Sequence, residues 1–199
     1  MITTDETLLE RLKVMDAHEA WKVFYDLYWQ PILRYGRKLG LNEAQAEEVL
    51  QDTMVALMHL LPEFCYDRGR GRFRNFLLTI VHRKALGVLR GQTRERARFD
   101  STGSVEAPAE DTVTEAHEER WRESIVATVL DELRADTEVG QRTLAVFEAY
   151  VIARRPGKEV AAEFGISENM VHQIKSRLLR RLRAAVQRRL CDGGGCLDA

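Results

Sequence analysis

Between Ser167 and Arg180 the chain spaces polar side chains so that they share one side of a helix. Stepping about 100° per residue, Asn169, Gln173, Ser176 and Arg180 fall together, flanked by His172 and Arg177. Amide, imidazole and guanidinium groups pair with base edges in a major groove, and hydroxyl and guanidinium groups also hold phosphates. The opposite side carries Val171, Ile174, Leu178 and Leu182, an apolar stripe suited to a core. Such a helix needs a fixed entry angle, and the preceding residues supply one. Val160, Ala161 and Phe164 face inward from a short helix, Gly165 makes the turn, Ile166 plugs the corner and Ser167 stands at the N-cap. Ala161 is small where the two helices cross, with Val171 opposite it. Gly157–Arg183 therefore has the pattern of a helix-turn-helix with a basic recognition helix. An ordinary hairpin with a solvated basic face would not require the glycine, the corner isoleucine and the cap together.

A second group of the same chemical character lies upstream, in FCYDRGRGRFRNFLLTIVHRKALGVLRGQTR. Mixed aromatics, glycines and arginines suit the grip of a single strand, where rings stack on bases and cations hold phosphates. Tyr66, Arg68 and Arg70 belong to a loop. In the helix that follows, Arg72, Asn75, Thr79, His82 and Arg83 are expected to face outward, with Arg90 further along. Phe73, Phe76, Leu77, Ile80, Val81 and Val88 are expected to face inward. Such a surface could pocket an unpaired base. The helix before it sets Ala46, Val49, Leu50, Thr53, Leu57 and Leu60 on one stripe and Glu47, Glu48, Gln51 and Asp52 on the other side. Alone, that polar side would read as simple solvation.

The elements that hold these residues are helical throughout, because no segment alternates as a strand should. The pattern predicts helices over Thr4–Met15, Ala17–Leu39 and Glu43–Leu61, then about Arg72–Arg90, and again from near Thr114. Gly40 stands at a C-cap position, Asn42 can cap the third helix and Pro62 ends it. Pro31 predicts a kink or break within the second. Further breaks are expected at Asp136–Val139 and Arg155–Gly157. Asp100–Thr112 is small, polar and acidic, and reads as a flexible linker. The predicted fold class is all-α: two small helical domains joined by a flexible acidic linker, the second containing the helix-turn-helix. Residues 1–92 form the first domain, 93–113 the linker, 114–190 the second domain and 191–199 a tail with nothing to order it. The aromatic run Trp21, Phe24, Tyr25, Leu27, Tyr28 and Trp29 reads as core. The stripe Trp121, Ile125, Val129 and Leu133 reads as the core of the second domain.

A net charge of −1 over 199 residues hides segregation. Basic residues dominate Glu63–Arg98 and are the only charged ones in His172–Leu190, whereas Phe99–Glu119 carries acids and no Lys or Arg. Two basic surfaces around an acidic connector suit an anionic polymer. No apolar run reaches spanning length, and the N-terminus lacks the basic start and apolar core of a secretory signal, so a cytoplasmic location without membrane contact is expected. Cys65, Cys191 and Cys196 are too few and scattered for a disulfide framework. The C-x4-C tail has no further ligands at metal-site spacing, the histidines form no HExxH, and RGRG lacks the frame of a phosphate loop. No catalytic residue, metal or cofactor is expected.

Taken in order, these segments resemble the extracytoplasmic-function group of bacterial RNA polymerase sigma factors. Ala46–Phe64 looks like the region 2 helix, Tyr66–Arg90 like its loop and following helix, and Glu159–Arg183 like region 4. The likeness spans about Ala20–Arg90 and Thr114–Arg189. It implies that Glu47, Glu48, Gln51 and Asp52 dock the β′ clamp helices of core RNA polymerase. It also implies that Tyr66, Arg68, Arg70, Arg72, Asn75, Thr79, His82 and Arg83 meet the −10 element. On the same basis Ser167, Asn169, His172, Gln173, Ser176, Arg177 and Arg180 read the −35 element of promoter DNA. The implied partners extend to the polymerase β flap and an anti-sigma factor, and the linker would thread toward the RNA-exit channel. The chain departs from the family's habit at Phe76, where Trp is usual, at Arg83 and Gly87, where Asn and Asp are frequent, and at Asn169–Met170, where Gly-Thr is usual. The residues themselves leave two other readings open: a helix-turn-helix transcription regulator acting on duplex operator without polymerase, and a helical adaptor with no DNA role.

Overall fold

The computed structural model describes residues 6–14, 17–63, 73–99 and 112–190, and every regular element among them is helical. In order these are α1 (Glu6–Leu12), α2 (His18–Lys38), α3 (Glu43–Leu60), α4 (Phe73–Phe99), α5 (Glu115–Ala135) and α6 (Gln141–Phe147). A π-helical turn (Glu148–Ile152), α7 (Gly157–Phe164) and α8 (Glu168–Leu190) follow. Local signals account for most boundaries. The Asn42 side chain accepts the Gln45 N–H and the Gln45 side chain accepts the Asn42 N–H, each at 3.0 Å, so a capping box starts α3. Gly40 follows the end of α2 with φ +96°.

Two boundaries differ from the sequence expectation. No break occurs at Pro31, and α2 runs on through that buried residue. A proline lacks the N–H that would bond the carbonyl of Leu27 one turn back. The Arg189 Nε supplies a donor to that carbonyl at 3.0 Å, which satisfies the group the proline orphans. Helix α4 reaches Phe99, beyond the expected Arg90 and into the stretch assigned to the linker. Residues 100–111 of that linker, Cys65, the cap at Thr4 and the tail with Cys191 and Cys196 lie outside the described residues.

The chain packs as two units, one comprising Met1–Ile125 with Arg188–Ala199 and the other Val126–Gln187. In the first, Phe24, Tyr28, Ile32 and Tyr35 of α2 pack with Ala46, Val49 and Leu57 of α3 and Phe73, Leu77 and Val81 of α4, all buried. Leu61 is buried and Leu60 exposed, the reverse of the stripe expected for the end of α3. The α5 stripe is divided rather than being one domain's core. Trp121 belongs to the first unit, where its ring stacks on Tyr28 (centroids 6.5 Å, 9°) and meets Tyr35 edge-on (5.7 Å, 81°). Val129 and Leu133 belong to the second. Helical periodicity shows that a stripe is buried but not what covers it. In the second unit the core is Leu133, Val139, Val146, Phe147, Val160, Ala161, Val171, Ile174 and Leu178.

Candidate nucleic-acid interface

The helix-turn-helix is built as its residues dictate. Gly165 adopts φ +61° and ψ +40°, a left-handed conformation that costs a side-chain-bearing residue about 1–2 kcal/mol. Its N–H bonds the Ala162 carbonyl at 3.3 Å and the Ile166 N–H bonds that of Ala161 at 3.0 Å, which closes the end of α7. The Ser167 hydroxyl accepts the Met170 N–H at 3.2 Å, the N-cap bond expected of it. Val160, Ala161, Val171, Ile174 and Leu178 are buried together, with Phe164, Ile166 and Leu182 packed against them. Asn169, His172, Gln173, Ser176, Arg177 and Arg180 are all exposed, as is Ser167. Arg181, one residue on, is instead paired with Asp136, so α8 separates cations that brace the unit from cations offered outward.

In the first unit the outward face of α4 is only partly as expected. Asn75 and Arg83 are exposed, and Thr79 is half-buried with its hydroxyl donated to the Asn75 carbonyl at 2.7 Å. Tyr66, Arg68, Arg70 and Arg72 lie outside the described residues. His82 corrects the sequence expectation, because it is fully buried. Its Nδ1 lies 3.0 Å from the Tyr35 hydroxyl and its ring 4.1 Å from that of His117. Helices α2 and α5 cover this part of α4, and a wheel drawn for α4 alone contains neither of them. Burial pushes the Tyr35 phenol up, against a smaller lowering pull from Arg120, so it stays protonated. Burial also lowers the His117 pKa, and Arg120 lowers it further.

Helix α3 exposes Glu47, Glu48, Gln51 and Asp52, and Asp52 meets Lys84 of α4 at 3.3 Å. Beside them a groove of about 830 Å³ runs between α2 and α3. Trp21, Tyr25 and Trp29 line it from α2, and Met54, Val55 and Met58 from α3, with Glu47 and Gln51 also in its wall. Half of the aromatic run read as core therefore forms this wall: Phe24 and Tyr28 are buried, while Tyr25 is 43% exposed. The spacing of Trp21, Tyr25 and Trp29 at every fourth residue was the available signal, since it sets a second stripe beside the buried one. Two further residues outside the expected set stand at the recognition helix, Tyr150 and Lys175. The Tyr150 ring meets that of His172 edge-on at 5.5 Å, and Lys175 Nζ lies 5.4 Å from its centre.

An all-helical chain with a capped helix-turn-helix and a polar outward face is of the class that binds DNA. Residues 24–95 match the family model described as Sigma-70 region 2, and residues 139–184 that described as Sigma-70, region 4. The chain belongs to the sigma-70 family, with the two-region build of its extracytoplasmic-function members, and so is a sigma factor acting in promoter recognition and transcription initiation. No curated protein sequence matches it. No helix among the described residues is long and apolar enough to cross a membrane.

Proposed function

We propose that this sigma factor binds core RNA polymerase through the groove between α2 and α3 and directs it to a two-part promoter. The observation that carries the reading is the groove itself, an open aromatic and methionine-lined wall bordered by Glu47 and Gln51. A monomer leaves such apolar surface open chiefly where a partner covers it, and methionine adapts to an incoming helix. The β′ clamp helices are the occupant that the family implies, with the acids of α3 steering their basic residues.

In this reading the segment 64–72 and the Asn75, Thr79 and Arg83 face of α4 hold the opened −10 strand. Phosphate contacts and a base pocket offset the cost of unstacking. The recognition helix, from its cap at Ser167, enters the major groove of the −35 element while the second unit meets the β flap. The acidic linker follows the path of RNA through the exit channel. Catalysis of RNA synthesis belongs wholly to the polymerase, in the cytoplasm. An anti-sigma factor would silence the chain by covering the same groove.

Titration of labelled full chain with core polymerase tests the dock. The Asp52–Lys84 pair is exposed and worth at most about 1 kcal/mol, so Gln51→Ala with Asp52→Ala preserves the fold. Together with Val55→Asp, at a position 54% exposed, the changes weaken affinity by about tenfold or more at an unchanged melting temperature. Unaltered affinity would remove the groove from the interface. A regulator acting alone would bind a duplex operator without needing this surface.

A further inference from the structure

Helix α6 ends at Phe147 and passes into the π-helical turn Glu148–Ile152, closed by the Ala153 N–H on the Glu148 carbonyl at 2.9 Å. Such turns are rare and recur at functional sites. Tyr150 stands at the middle of this one. Its hydroxyl lies 3.3 Å from His172 Nδ1, while the His172 Nε2 lies 4.0 Å from Glu168 Oε1. Gly157 leaves the room: a Cβ there would come within 3.2 Å of Glu168 Oε1 and 3.6 Å of Tyr150 Cε2.

These contacts select one form of the neutral imidazole. If Nδ1 carried the proton, the bare Nε2 lone pair would face the Glu168 carboxylate. With the Tyr150 O–H donating to Nδ1, the proton sits on Nε2, where the carboxylate attracts it yet is too distant for a hydrogen bond. Lys175, one turn beyond His172, is held by its charge over the Tyr150 ring. One aromatic side chain thus organises two hydrogen-bond donors on the recognition helix.

We propose that Tyr150 is a positioning residue for sequence readout, setting His172 and Lys175 as a donor pair that selects guanine in the upstream promoter duplex. This rests on the reading that α8 enters the major groove. Guanine presents two acceptors there, N7 and O6, whereas adenine and cytosine each present an amino donor that meets the pair unfavourably, and thymine offers a single acceptor.

The test is selection from a randomised duplex library by the full chain with core polymerase, scored base by base. Wild type enriches guanine at a position of the upstream element. Tyr150→Phe, which keeps the ring, and Lys175→Ala each cut that enrichment by about tenfold and leave other positions unchanged. In the free full chain, long-range proton–nitrogen correlations show His172 protonated at Nε2, and a mixture of tautomers in Tyr150→Phe at an unchanged melting temperature. If both variants keep the wild-type guanine preference while Gln173→Ala and Arg180→Ala lose theirs, the groove reading stands and the role of Tyr150 is refuted. If wild type enriches no upstream sequence, the groove reading fails and takes this inference with it.

Discussion

His82 and Tyr35 are polar groups enclosed by aromatic rings, and their mutual hydrogen bond is what makes that tolerable. Tyr35→Phe keeps the ring and removes the hydroxyl, so it costs about 1–2 kcal/mol, read as a lower urea midpoint. An unchanged midpoint would mean that the pair contributes nothing to the fold. Beside it, His117 titrates below its ordinary 6.5 because burial, aided by Arg120, penalises the imidazolium. As pH falls from 6.5 the unfolded chain protonates first, so stability complete above that pH is lost as the folded value is crossed. His117→Gln should flatten this acid-side loss, measured as urea midpoints between pH 7.5 and 5. The exposure of Asn169 and Arg180 was legible because only their own helix decides it. That of His82 was not, because its surroundings come from α2 and α5, far away in sequence.

At the scale of elements, single residues with strong backbone preferences were legible. Asn42, Gly40, Gly165 and Ser167 each mark a helix end where local chemistry decides the outcome. Long-range substitutions were not legible. Pro31 should break α2 by its own chemistry, yet the helix continues with the Arg189 guanidinium on the carbonyl that the proline leaves. Given that compensation, Arg189→Met costs about 1–3 kcal/mol with Pro31 present. It should cost distinctly less in a Pro31→Ala background, where the helix restores its own bond. A double-mutant cycle in urea measures the difference, and a coupling of zero would dismiss the compensation. The π-helical turn was equally hidden, since nothing in EAYVI distinguishes it from one more turn of α6. The groove was half visible, as an aromatic stripe whose exposure depended on what α3 left uncovered.

Over the whole chain, segregated charge has more to say than its sum. A net charge near zero would argue against a polyanionic partner, but the basic residues gather in and around α4 and along α8. The intervening acidic stretch would repel DNA. With the groove proposed above as a protein dock on the first unit, that distribution fits a factor that carries polymerase to DNA rather than one that merely occupies it. In vitro transcription with core polymerase and a promoter library tests this most directly. With the chain added, transcripts should start at a fixed distance downstream of a shared two-block sequence, and Val55→Asp should lower their yield when the chain is sub-saturating. Transcription equally low with and without the chain, alongside tight binding of the chain alone to duplex DNA, would contradict the account.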